Sequence, residues 1–391
     1  MSVQTEGKKH HSTTESLYPE TQFSSIEDTQ VEDCAYIAST RITKCKEDAE
    51  FNDIFRRAQE AIAQGVDPEL IAAGSSGSYF VRSVDGTNLA VFKPKDEEPF
   101  AALNPKWPKF FQRVLCFCCF GRACLIPNSG YLSETGASIV DAALGLNIVP
   151  KTRVVKLASP AFFYTRCCGM KEEIRSKEGS FQLFVSGYES AYAVFARWEY
   201  DTKLLSKEED KKFTVQFQMM CVLDYVIRNT DRHLDNVLIR HVPGKVLELA
   251  AIDNGLAFPI KHPESVSRLR TYPFRWADLQ WAKRPFDSDL RSHLLELLTP
   301  RFVHGLCREL KALFRHPIGS NRILVFSQLR VVRGQIYNLR QALQVGETAA
   351  EMTQREPVLL SRNYRKQVPD TEEWMRWFRM RSIDTTDRAC C

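Results

Sequence analysis

Asp231 and Asn236 stand five residues apart in the stretch Arg228-Asn229-Thr230-Asp231-Arg232-His233-Leu234-Asp235-Asn236. That spacing suits phosphoryl transfer, in which a carboxylate orients the attacking hydroxyl and a nearby amide holds a magnesium ion. A second carboxylate, Asp253 in Ala251-Ile252-Asp253-Asn254-Gly255, ends the apolar run Val246 to Ile252. It falls where a strand breaks into a loop, the position of a second metal ligand. Singly, such residues are common in turns, where Asp and Asn cap the backbone; their order along the chain is what points to a site. The elements that must position them are an apolar helix pattern, Phe213 to Ile227, before the Asp231 loop and a strand-like run, Val237 to Arg240, after it. Asp224, in the middle of that helix, needs a partner or solvent.

Phosphoryl transfer also needs a phosphate cradle, and a candidate lies upstream. Gly74-Ser75-Ser76-Gly77-Ser78-Tyr79-Phe80-Val81 is a small-residue turn entering a strand, Asp85-Gly86 is a hairpin turn, and Leu89 to Lys93 is the return strand. Small residues such as Ser75, Gly77 and Ser78 let backbone amides and hydroxyls approach phosphates, and Lys93 can reach them as a point charge. A structural hairpin with a solvated lysine fits the same residues. The run Gly130 to Leu144 is amphipathic and ends at Gly145, so it reads as a helix that supplies Lys93 with a carboxylate: Glu134 first, Asp141 second. Ser180-Phe181-Gln182-Leu183-Phe184-Val185-Ser186-Gly187 is a short apolar strand closed by glycine. It is either a buried sheet strand or an edge crossing between two lobes, where the backbone of Gln182, Leu183, Phe184 and Val185 would bind adenine.

With 391 residues the chain can bury a sizeable core divided between two lobes. Its net charge of +5 is mild and spread along the sequence, which does not suggest nucleic acid. Twelve cysteines behind a polar N-terminus lacking an apolar signal segment lead us to expect thiols in a reducing compartment. No run reaches the ~18 apolar residues of a membrane-crossing helix, so membrane contact is expected to be peripheral. Residues 1–45, rich in Ser, Thr, Glu and His, are expected to be a disordered tail. From Glu47, Phe51, Ile54, Phe55, Ala58 and Ile62 recur at helical spacing.

The stretch 104–124 mixes Trp107, Cys116, Cys118, Cys119 and Cys124 with other aromatics and with Lys106, Lys109, Arg113 and Arg122. A zinc site, a buried apolar patch and membrane attachment are all open to it. Attachment is favoured, because thiols beside aromatics and bases suit S-acylation with interfacial insertion, and two or more acyl chains anchor stably. Past Asp253, Lys261 to Trp276 interleaves Arg268, Arg270 and Arg275 with Phe274 and Trp276. That basic-aromatic segment suits a lipid headgroup at a membrane better than a peptide.

Taken together, Gly74 to Val81, Val91-Phe92-Lys93-Pro94-Lys95, Asn104-Pro105-Lys106-Trp107, Cys116 to Cys119, Gly130-Tyr131-Leu132-Ser133-Glu134, Phe181 to Val185, the Asp231 loop and Asp253 to Pro259 resemble type II phosphatidylinositol 4-kinases. The resemblance runs in consistent order from about Phe51 to Leu343. It implies an α+β, two-lobed, protein-kinase-like (PI3/PI4-kinase-like) fold with a β-rich N-lobe and a mainly helical C-lobe. The expected division is a tail at 1–45, an N-lobe at 46–180 carrying the cysteine-rich insertion 104–124, a hinge at 181–186, a C-lobe at 187–345 and a tail at 346–391. It implies transfer of the γ-phosphate of ATP to the 4-hydroxyl of phosphatidylinositol. Lys93 would contact the phosphates, Gln182 to Val185 would line adenine, Asp231 would be the catalytic acid, and Asn236 with Asp253 would hold Mg2+. Acylated Cys116, Cys118 and Cys119 would place the enzyme on the cytoplasmic face of Golgi and endosomal membranes.

The chain departs from the family in three places. Leu115-Cys116-Phe117-Cys118-Cys119 replaces Cys-Cys-Pro-Cys-Cys, His233-Leu234 replaces Gly-Asn, and Thr165 to Gly179 is shorter than usual. None touches Lys93, Asp231, Asn236 or Asp253, so an active enzyme is expected. The rival expectations are an atypical protein kinase and a catalytically impaired membrane-bound scaffold.

Overall fold

A computed structural model describes residues 32–99, 101, 103–105, 123–164, 174–263, 272–316, 320–363 and 373–382, with side chains from Asp48 onward. The chain forms two compact units, Met1–Glu50 and Phe51–Cys391. The described part of the first is the leading stretch of helix α1, Glu32–Ala63. The helix therefore starts well before the expected Glu47. Residues 1–31 of the expected tail lie outside the described residues.

In the second unit a five-stranded antiparallel sheet comes first: β1 (Glu69–Leu70), β2 (Tyr79–Arg82), β3 (Asn88–Pro94), β4 (Thr152–Leu157) and β5 (Lys177–Leu183). They lie in the order β1-β2-β3-β5-β4, so β3 sits at the centre. Alternation explains which face is covered: Tyr79, Val81, Ala90, Phe92 and Phe181 are buried, and Phe51 and Phe55 of α1 meet Phe181 edge-to-face. The β2–β3 turn is closed by Asp85, whose carboxylate accepts from the Thr87 amide, and by Gly86 at φ 84°.

Helix α2 (Gly130–Leu144) stops at Gly145, whose φ of 69° is the left-handed conformation that a glycine adopts without strain. The predicted limits of α2 agree with the structure. Its apolar face, however, joins the larger helical core with Tyr131, Ala137, Val140 and Leu144, and Gly136 lies so close to Phe258 that a Cβ would sit 2.9 Å from the ring. Asp141, the second candidate partner for Lys93, is turned away and accepts the Ile148 amide at 3.0 Å.

The helical half holds β6 (Glu189–Ser190), α3 (Ala191–Tyr200), α4 (Lys207–Ile227), β7 (Val237–Val242), β8 (Val246–Ala251), α5 (Ser288–Leu297), α6 (Pro300–Phe314) and α7 (Arg322–Val345). Helix α4 begins with a reciprocal capping box, Ser206 with Glu209. Helices α5 and α6 are separated at Pro300, which the first position of a new helix accepts. The segment after Val345, expected to be a tail, adds α8 (Ala349–Met352), a β9 (Val358–Arg362) to β10 (Phe378–Ser382) ladder and α9 (Glu373–Trp377). Its few apolar side chains, Met352, Leu360, Trp374 and Phe378, are buried in the main core. No helix among the described residues is long and apolar enough to cross a membrane.

Burial lifts the Asp141 carboxyl from the ordinary 3.8 to about 7, against the backbone amides that favour its charge. The folded state therefore holds this proton more tightly than the unfolded chain. The stabilisation it gives is complete below pH ~4 and is lost as pH rises towards 7, at up to ~1.4 kcal/mol per pH unit. Thermal unfolding of Asp141→Asn, compared with the wild type across that window, should show this downward slope removed.

Candidate active site

Strand β3 carries Lys93 to the centre of the sheet's open face. Its Nζ donates to Glu134 Oε1 at 2.5 Å and to Asp253 Oδ1 at 2.9 Å. Three separate elements thus meet at one ammonium: β3, the second turn of α2, and the loop after β8. Lys93 is 17% exposed and Glu134 2%, whereas Asp253 is 54% exposed and open to a cleft. Burial opposes the charge on Lys93, but the Asp253 and Glu134 carboxylates outweigh it and its pKa is raised. The Lys93 ammonium in turn holds the Asp253 carboxyl below its ordinary range. Glu134 also accepts the Asn254 amide through Oε2 at 2.9 Å, so one carboxylate fixes both the lysine and the residue next to Asp253. Asp253 itself adopts φ 53°, a backbone that costs of order ~1 kcal/mol for a side-chain-bearing residue and that these contacts hold.

The Asp231 loop is built around a buried ion pair that the sequence did not announce. Arg232, 5% exposed, reaches inward to Asp224 at 3.0–3.2 Å. Its remaining donors go to the Asn236 carbonyl (2.8 Å), the Ile252 carbonyl (2.5 Å) and Asn254 Oδ1 (2.5 Å). Asp224, fully buried, also accepts from Asn229 Nδ2 and Trp276 Nε1. This answers what partners the mid-helix carboxylate. Arg228 ends α4 at φ 46° and starts the loop. Asn236 Nδ2 donates to the Asp231 carbonyl at 3.1 Å, which leaves its Oδ1 as an acceptor. Leu234 packs partly buried against the main core, and His233 Nδ1 lies 3.5 Å from Asp235.

The glycine-serine loop rests on a second buried polar group. Glu97, inaccessible to solvent, accepts from Tyr79 Oη (2.6 Å), Lys177 Nζ (2.7 Å) and the Phe163 amide. The Gly77 amide donates to the Glu97 carbonyl, and a Cβ on Gly77 would fall 2.5 Å from the Glu97 carboxylate. Gly77 is thus a packing glycine whose amide is already used. The Ser76 and Ser78 hydroxyls, 3.4 Å apart, and Ser75, whose carbonyl accepts from Asn104, make up the rest of the tip.

On the crossing strand the Leu183 and Phe184 amides donate to Lys151 and Leu89 carbonyls, whereas the Val185 amide makes no hydrogen bond among the described residues. Gln182 turns its side chain away, to Thr152 Oγ1. Phe184 meets Phe80 of β2 edge-to-face at 6.0 Å.

Two expected membrane-facing aromatics are corrected. Trp276 is 2% exposed with its indole on Asp224, and Phe274 is 9% exposed between Trp276 and Tyr225, with the Arg228 guanidinium 4.3 Å over its ring. Both are core residues that brace the catalytic loop; Arg275 between them is exposed. Trp107, Cys116, Cys118, Cys119, Arg268 and Arg270 lie outside the described residues.

Removing one partner of a buried ion pair leaves the other charge uncompensated, which costs ~3–5 kcal/mol. Asp224→Asn should lower stability by that order in urea unfolding, well beyond the effect of Glu189→Gln in the exposed pair with Arg197.

The model for "Phosphatidylinositol 3- and 4-kinase" matches residues 74–318, which takes in every group just described. Phosphatidylinositol 4-kinase type 2-beta of Xenopus tropicalis is 41% identical over 386 residues, covering 88% of this chain and 77% of that one. Phosphatidylinositol 4-kinase type 2-alpha of Danio rerio is 42% identical over 372 residues, covering 86% and 82%, and its type 2-beta is 44% identical over 355 residues, covering 81% and 70%. With Lys93, Glu134 and Asp253 joined and the Asp231 loop beside them, the chain belongs to the phosphatidylinositol 3- and 4-kinase family, among its type 2 phosphatidylinositol 4-kinases.

Proposed function

We propose that this chain transfers the γ-phosphate of ATP to the 4-hydroxyl of phosphatidylinositol. The observation that carries the reading is the single ammonium of Lys93 held between Glu134 and Asp253. Phosphoryl transfer asks little covalent chemistry of a protein and much positioning of charge. Lys93, kept cationic by two carboxylates, is ready to exchange its contact with Asp253 for phosphate oxygens while Glu134 keeps it aimed. The loop Ser75 to Ser78 covers the phosphates with hydroxyls, and the free Val185 amide is the hinge donor for adenine. Asp231 orients the attacking inositol hydroxyl as its proton leaves. Asn236 Oδ1 and the exposed Asp253 carboxylate suit a hard cation, which we take to be Mg2+, in a site completed by phosphate oxygens and water. Asn236 and Asp253 would hold that ion, which would supply neutralising charge to the transferring phosphate.

Substrate in a bilayer requires the enzyme to work at a membrane surface. Acylation of Cys116, Cys118 and Cys119 with insertion of Trp107, and headgroup contacts from Arg268, Arg270 and exposed Arg275, supply that attachment in this reading. The compartments are then the cytoplasmic faces of Golgi and endosomal membranes.

Labelled phosphate transfer from Mg-ATP to phosphatidylinositol in detergent micelles tests the chemistry. The wild type should yield the 4-phosphate isomer, and Lys93→Met and Asp253→Ala should each lose at least ~100-fold in kcat/KM. Transfer to a peptide in place of the lipid would overturn the assignment. Replacing Cys116, Cys118 and Cys119 together by Ser should shift the protein from the pelleted membrane fraction to the supernatant while leaving micellar kcat within about twofold, since no anchor is needed there.

A further inference from the structure

Helix α2 carries Glu134, yet the residue at its capping position does not cap it. Ser129 has φ −124° and ψ 11°, outside the extended backbone from which a serine hydroxyl reaches the first turn, and its side chain accepts none of the helix amides. The cap comes from another part of the chain. Glu98 Oε2 accepts the Gly130 amide at 3.0 Å, and its Oε1 accepts the Tyr131 amide at 2.7 Å. Glu98 is 7% exposed, and burial lifts its carboxyl to about 7 against the two amides that favour its charge. A local Ser, Thr or Asp caps a helix in water without that penalty, so stability alone does not call for this arrangement. What a remote cap adds is position.

Glu98 stands five residues beyond Lys93, just past the Lys95–Glu97 turn that follows β3. Gly130 permits its close approach, since a Cβ there would lie 3.2–3.3 Å from the Glu98 carboxyl. Glu134 projects one turn further along α2, roughly 6 Å up the axis at 1.5 Å per residue. A tilt of the first turn is therefore passed to the carboxylate that aims Lys93. The same segment also grips the glycine-serine loop. The Glu97 carbonyl accepts the Gly77 amide, and Asn104 Nδ2 bridges the Glu98 and Ser75 carbonyls at 3.0 Å each. Lys93, the start of the helix bearing Glu134 and the loop Ser75 to Ser78 are thus all held from one short stretch of chain.

We propose that Glu98 is a positioning residue for phosphoryl transfer: holding the start of α2 from the segment that bears Lys93, it sets where Glu134 meets the ammonium, and through Asn104 it keeps that setting in register with the Ser75 to Ser78 loop. The proposal rests on the reading of the Lys93 site as a phosphate-handling centre. The Glu98 carboxylate is engaged by backbone amides, so it acts through α2 and not on the reactants. Two further holds reach the first turn of α2: the Tyr131 hydroxyl donates to Glu178 Oε1 of β5 at 2.8 Å, and Lys95 Nζ lies 5.6 Å from the Tyr131 ring. Loss of Glu98 therefore shifts this turn without releasing the helix.

The test uses the full chain carrying Glu98→Ala or Glu98→Gln, the latter keeping one acceptor, each in the wild-type and in the Glu134→Gln background. Transfer to phosphatidylinositol is measured in micelles, and affinity for N-methylanthraniloyl-ATP with Mg2+ is measured by fluorescence without lipid. Glu98→Ala should weaken Mg-ATP binding and lower kcat/KM for ATP by ~10- to 100-fold, as a displacement of about 1 Å in a positioned group does, while KM for phosphatidylinositol stays within about twofold. Glu98→Gln should fall between Glu98→Ala and the wild type. In Glu134→Gln the same changes should cost less than about twofold, because the group that Glu98 positions is already gone. Equal losses in both backgrounds would mark a merely structural cap, and no loss in the first an idle one; either overturns the proposal. Lys93→Met is the second background should Glu134→Gln not fold, with the same outcomes. A wild type that moves no phosphate to phosphatidylinositol would overturn the lipid-kinase reading by itself, and the cycle read on Mg-ATP affinity alone would still decide for or against Glu98.

Discussion

A single buried carboxylate, Glu134, couples the halves of this molecule. One oxygen takes Lys93 from the central strand and the other takes the Asn254 amide beside Asp253. Burial would ordinarily push such a group towards its neutral form, and the adjacent ammonium is what keeps a charge there worthwhile. The bond to Lys93 is therefore mutual: the lysine needs the carboxylate for direction and the carboxylate needs the lysine for charge. Were α2 to shift by an ångström, both contacts would loosen together, and the left-handed backbone at Asp253 would lose a support.

The second half of the site is stiffened by Arg232 and Asp224, a pair whose every nitrogen and oxygen is turned to use. One guanidinium ties the Asn236 carbonyl, the Ile252 carbonyl and Asn254 to the buried Asp224 in the last turn of α4. Asp231 and Asn236 stand on either side of Arg232, and the Asn236 carbonyl is one of its acceptors, so the knot holds the backbone of the loop that carries both side chains. Trp276 joins from the far side through its indole N–H, and so links the conformation of the following segment to that of the loop.

Much of this was legible beforehand because it rests on local rules. The limits of α2 and its glycine stop followed from helical periodicity, and Glu134, ranked before Asp141, is the carboxylate that meets Lys93. The hairpin carrying Lys93 followed from alternation and Asp85-Gly86. What escaped depends on long-range pairing. Arg232 reads as one more loop cation until Asp224 is seen buried behind it. Phe274 and Trp276 were misread because aromatics among bases look the same at a bilayer and over an internal arginine; the Arg228 guanidinium on Phe274 decides it. Gly77 was read as a phosphate-binding glycine, and what that reading did not foresee is the Glu97 carboxylate beneath it, which leaves no room for a side chain. The final hairpin was missed because four buried residues in a polar stretch leave almost no periodic signal.

Helix α2 lies with its apolar face in the larger core, its Gly136 flush against Phe258 and its Ser133 hydroxyl on the Ala257 carbonyl. A helix set so firmly into the lower body has no inexpensive outward swing. To swing out, α2 would have to give up the Gly136 packing and the Ser133 hydrogen bond at once, so the carboxylate that aims Lys93 is braced from the helical half rather than from the sheet that carries the lysine.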